Sequence, residues 1–167
     1  AELVIEAVFE DMEVKKEVFR RLDEHVPEGT ILATNTSYLN TYEIAAATTR
    51  PEDVIGLHFF SPAQLMRLIE VVKGEKTHPH VVATCLAFAR RLDKVGVLAG
   101  VCDGCIGNRI LFHYRKQIDY MLEDGATPWE IDEAMESFGM AMGPFRAVSY
   151  THLTLLTTPY VDICLVF

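Results

Sequence analysis

The feature that most constrains the fold of this chain is an alternation of short apolar runs with helical patterns. The apolar runs have the length of strands and occupy residues 3–9, 30–34, 53–60, 66–72 and 95–101. Two segments between these runs, 10–25 and 78–92, repeat apolar side chains at helical spacing. Since strands that alternate with helices build a sheet covered by helices, we expect a largely parallel α/β sheet over residues 1–101.

The first helical segment, residues 10–25, is expected to bury an apolar stripe and to expose its basic residues. The stripe recurs at every fourth position and consists of Val14, Val18, Leu22 and Val26. The basic residues between them are Lys15, Lys16, Arg20 and Arg21. An amphipathic helix turns its apolar stripe to the core, so we expect these four basic side chains to point outward.

After Asp103 the pattern contains helices only. A long helical segment covers residues 108–123, and Gly125 ends it. Thr127 and Glu130 then have the spacing of a capping box that opens a second helix to Phe138. The inward residues predicted for the first of these helices are Ile110, Leu111, Tyr114, Ile118, Met121 and Leu122. We therefore interpret residues 102–148 as the start of an all-helical domain.

The composition changes at the end of the chain. Between Val148 and Phe167 the only formal charge is Asp162, and the stretch is rich in Thr and Leu without a clear period. An unusual β-hairpin is one interpretation, but we favour a non-native segment over residues 149–167. The chain also opens directly on an apolar run without an initiator Met, so we expect it to be cut from a longer sequence.

Charge and cysteine content exclude several classes of protein. The chain has 24 acidic and 15 basic residues, a net charge of -9, which disfavours binding to nucleic acid. It contains no apolar run of the ~18 residues that a membrane span needs, so we expect no such span. Cys102 and Cys105 form a single C-x-x-C pair with no second pair, so we expect no metal site.

His58 and Glu70 are the candidate catalytic residues. His58 lies near the end of a predicted strand, where ligands of open α/β sheets bind, but a lone His there is often structural. Glu70 lies inside the next apolar run, where a carboxylate is costly unless it is paired. If the two strands are neighbours, Glu70 could orient His58 for proton abstraction, and no nucleophile motif accompanies them.

Asn108 is a third candidate. It follows Gly104 and Gly107, which let the backbone approach a ligand closely, and its amide can both donate and accept. Its spacing is equally consistent with a cap on the helix that it opens, and the residues alone leave both interpretations open.

Several ordered motifs are spread over residues 1–148. They are Ile5-Glu6-Ala7-Val8-Phe9-Glu10, Asn35-Thr36-Ser37, Gly56-Leu57-His58-Phe59-Phe60-Ser61-Pro62, Glu70-Val71-Val72, Gly107-Asn108-Arg109 and Met142-Gly143-Pro144-Phe145. In this order the motifs resemble the L-3-hydroxyacyl-CoA dehydrogenase family. The residues around Gly107 and Gly143 look more like the dehydrogenase part of multifunctional enoyl-CoA hydratase/dehydrogenase proteins. The resemblance implies the C-terminal part of a Rossmann-like NAD-binding domain, with the Gly-rich phosphate loop expected upstream of Ala1.

The resemblance also implies an activity and roles for individual residues. The reaction is oxidation of L-3-hydroxyacyl-CoA to 3-oxoacyl-CoA with NAD in fatty-acid β-oxidation, although this piece alone is expected to be inactive. His58 would take the hydroxyl proton, Glu70 would hold His58, and Ser37 and Asn108 would bind acyl-CoA oxygen atoms. The implied cofactor contacts are Val8, Phe9, Glu10, Lys15, Ser37 and Ser61. Position 61 is often Asn in the family, and Ser shortens the reach toward the nicotinamide.

The implied partners are the acyl-CoA substrate and either a second copy of the chain or a fused enoyl-CoA hydratase domain. We expect a cytoplasmic protein, or a peroxisomal or mitochondrial one in a eukaryote. The alternative function is a catalytically silent remnant that binds acyl-CoA or a partner chain. Other β-hydroxyacid dehydrogenases usually rely on a catalytic Lys, and no such motif is evident here.

Overall fold

The strands lie in one sheet in the computed structural model, which describes residues 1–147 and 165–166. The first part of the chain forms β1 (Leu3–Glu6), α1 (Met12–His25), β2 (Ile31–Thr34), α2 (Thr41–Ala45), β3 (Val54–Phe59), β4 (Leu68–Lys73), α3 (Pro79–Arg91) and β5 (Val95–Gly100). The later elements are α4 (Gly107–Glu123), α5 (Pro128–Phe138) and β6 (Leu165–Val166). Across the described residues the strand order is β5-β4-β3-β2-β1-β6.

The sheet over residues 1–101 is largely parallel, as expected, and contains one antiparallel pair. β1, β2 and β3 are parallel neighbours, and β4 and β5 are parallel to each other. β3 and β4, however, pair antiparallel, with His58 directly opposite Glu70. The reason is the short connection 60–67, which contains no crossover helix, and a parallel pair requires a crossover of about a dozen residues or more.

Helices cover both faces of this sheet. On one face, α1 and α2 pack on the sheet through a cluster made of Val4, Phe19, Leu32, Ile44 and Val54. On the other face, α3 contributes Val81, Val82, Cys85 and Ala89 to a larger cluster with the strands. The stripe predicted for residues 78–92 is therefore confirmed, and β3 lies between two apolar layers.

The predicted orientation of α1 is wrong at two positions. Val14 is exposed, whereas Lys15 and Phe19 are buried. Lys15 is expected to point outward because it lies off the apolar stripe of the helix. Its burial has a physical cause in Glu6, the last residue of β1, whose carboxylate lies 2.7 Å from the Lys15 ammonium.

Residues 107–147 belong to a second compact unit, which begins at Gly107, whereas residues 1–106 form the first together with β6. The predicted capping box is present, since Glu130 accepts a hydrogen bond from the backbone of Thr127 at 2.9 Å. Of the six inward residues predicted for α4, only Ile118 is buried, and Ile110 is 66% exposed. In the described part of this unit α4 contacts only α5 closely, and one partner helix covers only a narrow stripe.

The predicted non-native segment, residues 149–167, lies outside the described residues except for β6. The backbone of β6 pairs antiparallel with Val4 and Ile5 of β1. Among the helices that the structure describes, none has both the length and the apolar character to cross a membrane.

Gly56 should be required for the close approach of β3 and β4. A Cβ at Gly56 would lie 2.8 Å from the Cβ of Val72, its partner in register. We expect Gly56→Ala to lower the free energy of unfolding by about 1–3 kcal/mol, the usual cost of overpacking. Gly100→Ala is the matched control in urea unfolding, since a Cβ there meets nothing within 4 Å. Equal stability of the two variants would contradict the prediction.

Candidate functional site

The structure places His58 and Glu70 in direct contact. His58 Nδ1 and Glu70 Oε2 are 2.8 Å apart, and both side chains are almost fully buried. The contact follows from the register, because directly opposed residues in an antiparallel pair project from the same face of the sheet. The ring of Phe60 packs against the imidazole at 4.5 Å between centroids. With Nδ1 facing Glu70, Nε2 is the ring nitrogen left for a ligand.

The second oxygen of Glu70 is held by the backbone. Its Oε1 accepts a hydrogen bond of 2.9 Å from the N–H of Ile106. Gly104 and Cys105 just before it both have left-handed backbone, with φ of 67° and 49°. This turn directs the Ile106 N–H back toward the sheet. Each carboxylate oxygen of Glu70 therefore has a partner, as burial of a charge demands.

Most of the residues implied as cofactor contacts follow the carboxyl ends of three parallel strands. Val8, Phe9 and Glu10 follow β1, Ser37 follows β2, and Ser61 follows β3. Parallel strands end at a common edge of the sheet, where ligands of open α/β folds bind. We call the loops 7–11, 35–38 and 60–61, which carry these predicted contacts, the cofactor edge. His58, next to the last residue of β3, lies at the same end of the sheet.

Glu10 ties two loops of the cofactor edge together. Its Oε1 accepts hydrogen bonds from Thr36 Oγ1 at 2.6 Å, from the N–H of Ser37 at 2.8 Å and from the N–H of Tyr38 at 3.2 Å. Partial burial alone would raise the pKa of Glu10. The Thr36 and Ser37 hydrogen bonds and the Lys15 charge outweigh burial, so the pKa lies below its usual value.

Lys15 lies behind this edge and is not exposed on it. Its ammonium contacts Glu6 Oε1 at 2.7 Å, the carbonyl oxygen of Val8 at 3.3 Å and Glu10 Oε2 at 3.4 Å. The Lys15 side chain is 1% exposed. Its direct contact with a cofactor, implied by the resemblance, stays a prediction.

Asn108 lies in the first turn of α4, one residue after the helix begins, and is half-buried. It belongs to the second unit, whereas the other predicted site residues belong to the first. Cys102 is exposed and Cys105 is buried, and burial raises the pKa of the Cys105 thiol to about 11. No group of three or more potential metal ligands occurs within the described part of the chain.

Sequence reasoning missed residues whose hydrogen bonds hold the strand ends and loops of the site in place. Asn35 Oδ1 accepts a hydrogen bond of 2.8 Å from the N–H of Phe59 and so joins the ends of β2 and β3. Glu6 is fully buried, and Thr34 donates a hydrogen bond of 2.7 Å to its Oε2. The sequence did contain a sign that Glu6 is buried and paired. Glu6 is an acid at the end of an apolar strand, just as Glu70 is an acid inside one.

Two family models match this chain in succession. Residues 1–102 match the NAD binding domain of 3-hydroxyacyl-CoA dehydrogenase, and residues 104–163 match the C-terminal domain of the same family. The peroxisomal bifunctional enzyme of Cavia porcellus is 49% identical over 145 residues, 87% of this chain and 20% of that protein. The fatty acid oxidation complex subunit alpha of Shewanella amazonensis is 41% identical over 163 residues, 98% of this chain and 22% of that protein.

Solved structures share the fold. The 3-hydroxybutyryl-CoA dehydrogenase of Escherichia coli K12 matches with a TM-score of 0.82 and 42% identity, over 86% of this chain and 31% of that chain. This chain spans about one fifth of the length of the curated relatives named above.

The stabilisation that Glu10 provides by joining loops 7–11 and 35–38 should depend on pH. A carboxyl group whose pKa is lowered by folding stabilises the fold above its usual pKa of 4.5, and this contribution is lost as the pH falls through the lowered value. We expect Glu10→Gln to reduce the free energy of unfolding at about pH 7, and the difference from the unmodified chain to shrink by about pH 3. Urea unfolding at both pH values measures it.

Glu28→Gln, which removes one acid from an exposed position, controls for net charge. A difference between Glu10→Gln and the unmodified chain that is the same at both pH values would show that the charge of Glu10 does not hold the loops.

Proposed function

The chain belongs to the 3-hydroxyacyl-CoA dehydrogenase family, and we propose that it oxidises L-3-hydroxyacyl-CoA to 3-oxoacyl-CoA with NAD as part of fatty-acid β-oxidation. The observation that carries the proposal is the buried contact of 2.8 Å between His58 Nδ1 and Glu70 Oε2 at the carboxyl end of β3. An imidazole held by a carboxylate is suited to take one proton from a hydroxyl group.

The cofactor edge suits NAD in its chemistry. Phe9 is 66% exposed there, which offers an apolar face to a flat ring. Ser37 and Ser61 bring hydroxyl groups that can bond to ribose or amide groups. We assign Val8, Phe9, Glu10, Ser37 and Ser61 to this surface. NAD, when bound, supplies the acceptor for the hydride that leaves C3 of the substrate.

The chemistry of the chain itself is a proton transfer. His58 Nε2 accepts the proton of the 3-hydroxyl group while the C3–H bond breaks and the C3–O bond becomes a carbonyl. The imidazole becomes positively charged, and the adjacent carboxylate of Glu70 stabilises this charge. Ile106 N–H fixes the other oxygen of Glu70, so the carboxylate stays aligned with Nδ1.

Ser37 and Asn108 are the residues that we assign to acyl-CoA oxygen atoms. Ser37 is half-buried in the loop after β2, where its N–H donates to Glu10 and its hydroxyl group can bond to such an oxygen. Asn108 offers an amide from the first turn of α4 for the same purpose.

The partners and location are proposed on the same basis. The partners are acyl-CoA and either a second copy of the chain or a fused enoyl-CoA hydratase domain. A fused second domain agrees with a relative that is named a bifunctional enzyme. The location is the cytoplasm, or the peroxisome or mitochondrion in a eukaryote. None of these assignments requires binding to nucleic acid.

His58→Gln should remove the proton acceptor. In the protein at its full natural length, we expect turnover of 3-hydroxyacyl-CoA with NAD to fall by ~10²–10⁴-fold, the usual contribution of a general base. NADH formation measures the rate, and circular dichroism verifies the fold. His25→Gln is the control, because His25 is an exposed histidine at the end of α1. Near-normal turnover in His58→Gln would remove His58 from the catalytic role.

Glu70→Gln should keep a hydrogen-bond acceptor beside His58 but lose the negative charge. We expect kcat to fall about ten-fold or more, about 1.4 kcal/mol of transition-state stabilisation, with little change in KM for acyl-CoA. Glu75→Gln, at an exposed position after β4, is the control. If Glu70→Gln instead raised KM and left kcat unchanged, Glu70 would serve binding and not the chemical step.

A further inference from the structure

The buried ion pair between Glu6 and Lys15 is unused by the proposed chemistry. Both side chains are shielded from solvent, with exposed fractions of 0% and 1%. Lys15 Nζ donates to Glu6 Oε1 at 2.7 Å, and Thr34 Oγ1 donates to Glu6 Oε2 at 2.7 Å. Apolar residues of similar volume could fill such a space without loss of stability. The particular contribution of the pair is therefore the orientation that it imposes on its neighbours.

Those neighbours are the backbone groups of Val8. The Val8 N–H donates to Glu6 Oε1 at 2.7 Å, and the Val8 carbonyl oxygen accepts from Lys15 Nζ at 3.3 Å. The pair therefore holds the peptide groups on both sides of Val8. The orientation of the backbone at Val8 is therefore fixed, and this orientation determines where the next two residues, Phe9 and Glu10, lie.

The same ammonium reaches the second loop of the cofactor edge through Glu10. Lys15 Nζ lies 3.4 Å from Glu10 Oε2, and Glu10 Oε1 holds the N–H of Ser37 at 2.8 Å. A chain of contacts thus runs from Glu6 through Lys15 and Glu10 to Ser37. This chain of contacts connects a fully buried acid, Glu6, with two loops that face the proposed cofactor.

We propose that Glu6 is a positioning residue for NAD: with Lys15 and Thr34 it fixes loop 7–11 and, through Glu10, the Ser37 loop. Lys15 acts by this route from behind the cofactor edge, since its ammonium is enclosed by Glu6, Glu10 and the Val8 carbonyl group. The inference rests on the proposed function, because it assigns NAD to this edge.

The chain offers a matched control in a second buried ion pair. Arg50 Nε donates to Asp23 Oδ1 at 2.9 Å, and both side chains are about 90% buried. This pair lies near the other end of α1 and holds the backbone of Thr49 and Pro27, away from the cofactor edge. Asp23→Asn therefore imitates the electrostatic damage of Glu6→Gln without touching loop 7–11.

The first test is steady-state kinetics of the protein at its full natural length. We expect Glu6→Gln to raise KM for NAD about ten-fold or more, because displaced binding groups cost affinity even when the mutation is remote. KM for acyl-CoA and kcat at saturating NAD should change by less than about two-fold, since the His58–Glu70 pair is untouched. Asp23→Asn should leave all three parameters near those of the unmodified protein.

The second test measures the backbone dynamics of the two loops in the absence of turnover. Hydrogen–deuterium exchange of the NAD-free protein should show faster exchange at the Val8 amide and at residues 36–38 in Glu6→Gln. In Asp23→Asn these amides should keep the rate of the unmodified protein. Calorimetry with NAD alone should reproduce the loss of affinity seen in KM.

Two further variants separate positioning from stability. The double variant Glu6→Gln with Lys15→Met leaves no charge without a partner, so its thermal midpoint should exceed that of Glu6→Gln, while KM for NAD stays high. Thr34→Val removes only the hydroxyl bonded to Glu6 Oε2, and we expect it to raise KM for NAD by a smaller factor, about two- to five-fold. If Glu6→Gln does not fold, Thr34→Val still tests whether the contacts of Glu6 affect KM for NAD.

The outcomes distinguish failure of the proposed function from failure of the role proposed for Glu6. If the unmodified protein does not oxidise 3-hydroxyacyl-CoA with NAD, the proposed function fails. If it does, but neither Glu6→Gln nor Thr34→Val raises KM for NAD, Glu6 does not position the edge. If Asp23→Asn raises KM for NAD as much as Glu6→Gln does, the effect is general loss of stability and the inference is overturned.

Discussion

Glu6 and Glu70 each lie within an apolar strand, with hydrogen-bond partners on both carboxylate oxygens. For Glu6 the partners are the Val8 N–H, Lys15 and Thr34, and for Glu70 they are His58 and the Ile106 N–H. A buried carboxylate without partners would be too costly to retain, so each acid obliges a loop and a second side chain to take a fixed place. The two acids differ in the side chain that they face. Lys15 supports the fold in the proposed mechanism, whereas His58 takes part in the proposed proton transfer.

The sheet topology gives both acids access to the same edge. β1, β2 and β3 run parallel, so the loops after them meet at their carboxyl ends. β4 runs in the opposite direction and begins near that edge, which places Glu70 beside His58. A fully parallel sheet would have carried the segment after β3 away through a crossover, and the two residues would not be direct neighbours in a short antiparallel pair.

The sequence allowed prediction of the residues whose chemistry conflicts with their surroundings. Glu70 interrupts an apolar run, so its need for a partner and the nearness of His58 could be inferred from the residues. The elements themselves followed from periodicity and capping, as at Thr127 and Glu130, whose spacing indicated the capping box at the start of α5. Roles for Ser37, Ser61 and Asn108 came only from the resemblance, because Ser and Asn are common in loops and carry no distinctive pattern.

What could not be predicted depends on contacts between distant segments. Lys15 was placed outward because helical periodicity describes one helix and says nothing of an acid at the end of the preceding strand. Thr34 bonds to Glu6 across 28 positions, and Ser37 bonds to Glu10 across 27. The apolar side of α4 was expected to be buried, but burial depends on how many neighbours a helix has. The number of neighbours is a property of the tertiary structure, and the periodicity of the sequence does not reveal it.

The close approach at Gly56 has a consequence for the fidelity of strand alignment. All but the last residue of β3 are buried, so alternation of polar and apolar residues does not by itself select one alignment with β4. If β3 slipped by one residue, a side chain with a Cβ would face Val72 in place of Gly56, and the strands would have to move apart there. The same slip would separate His58 from Glu70. The missing side chain at Gly56 therefore favours the alignment of β3 and β4 that brings His58 and Glu70 together.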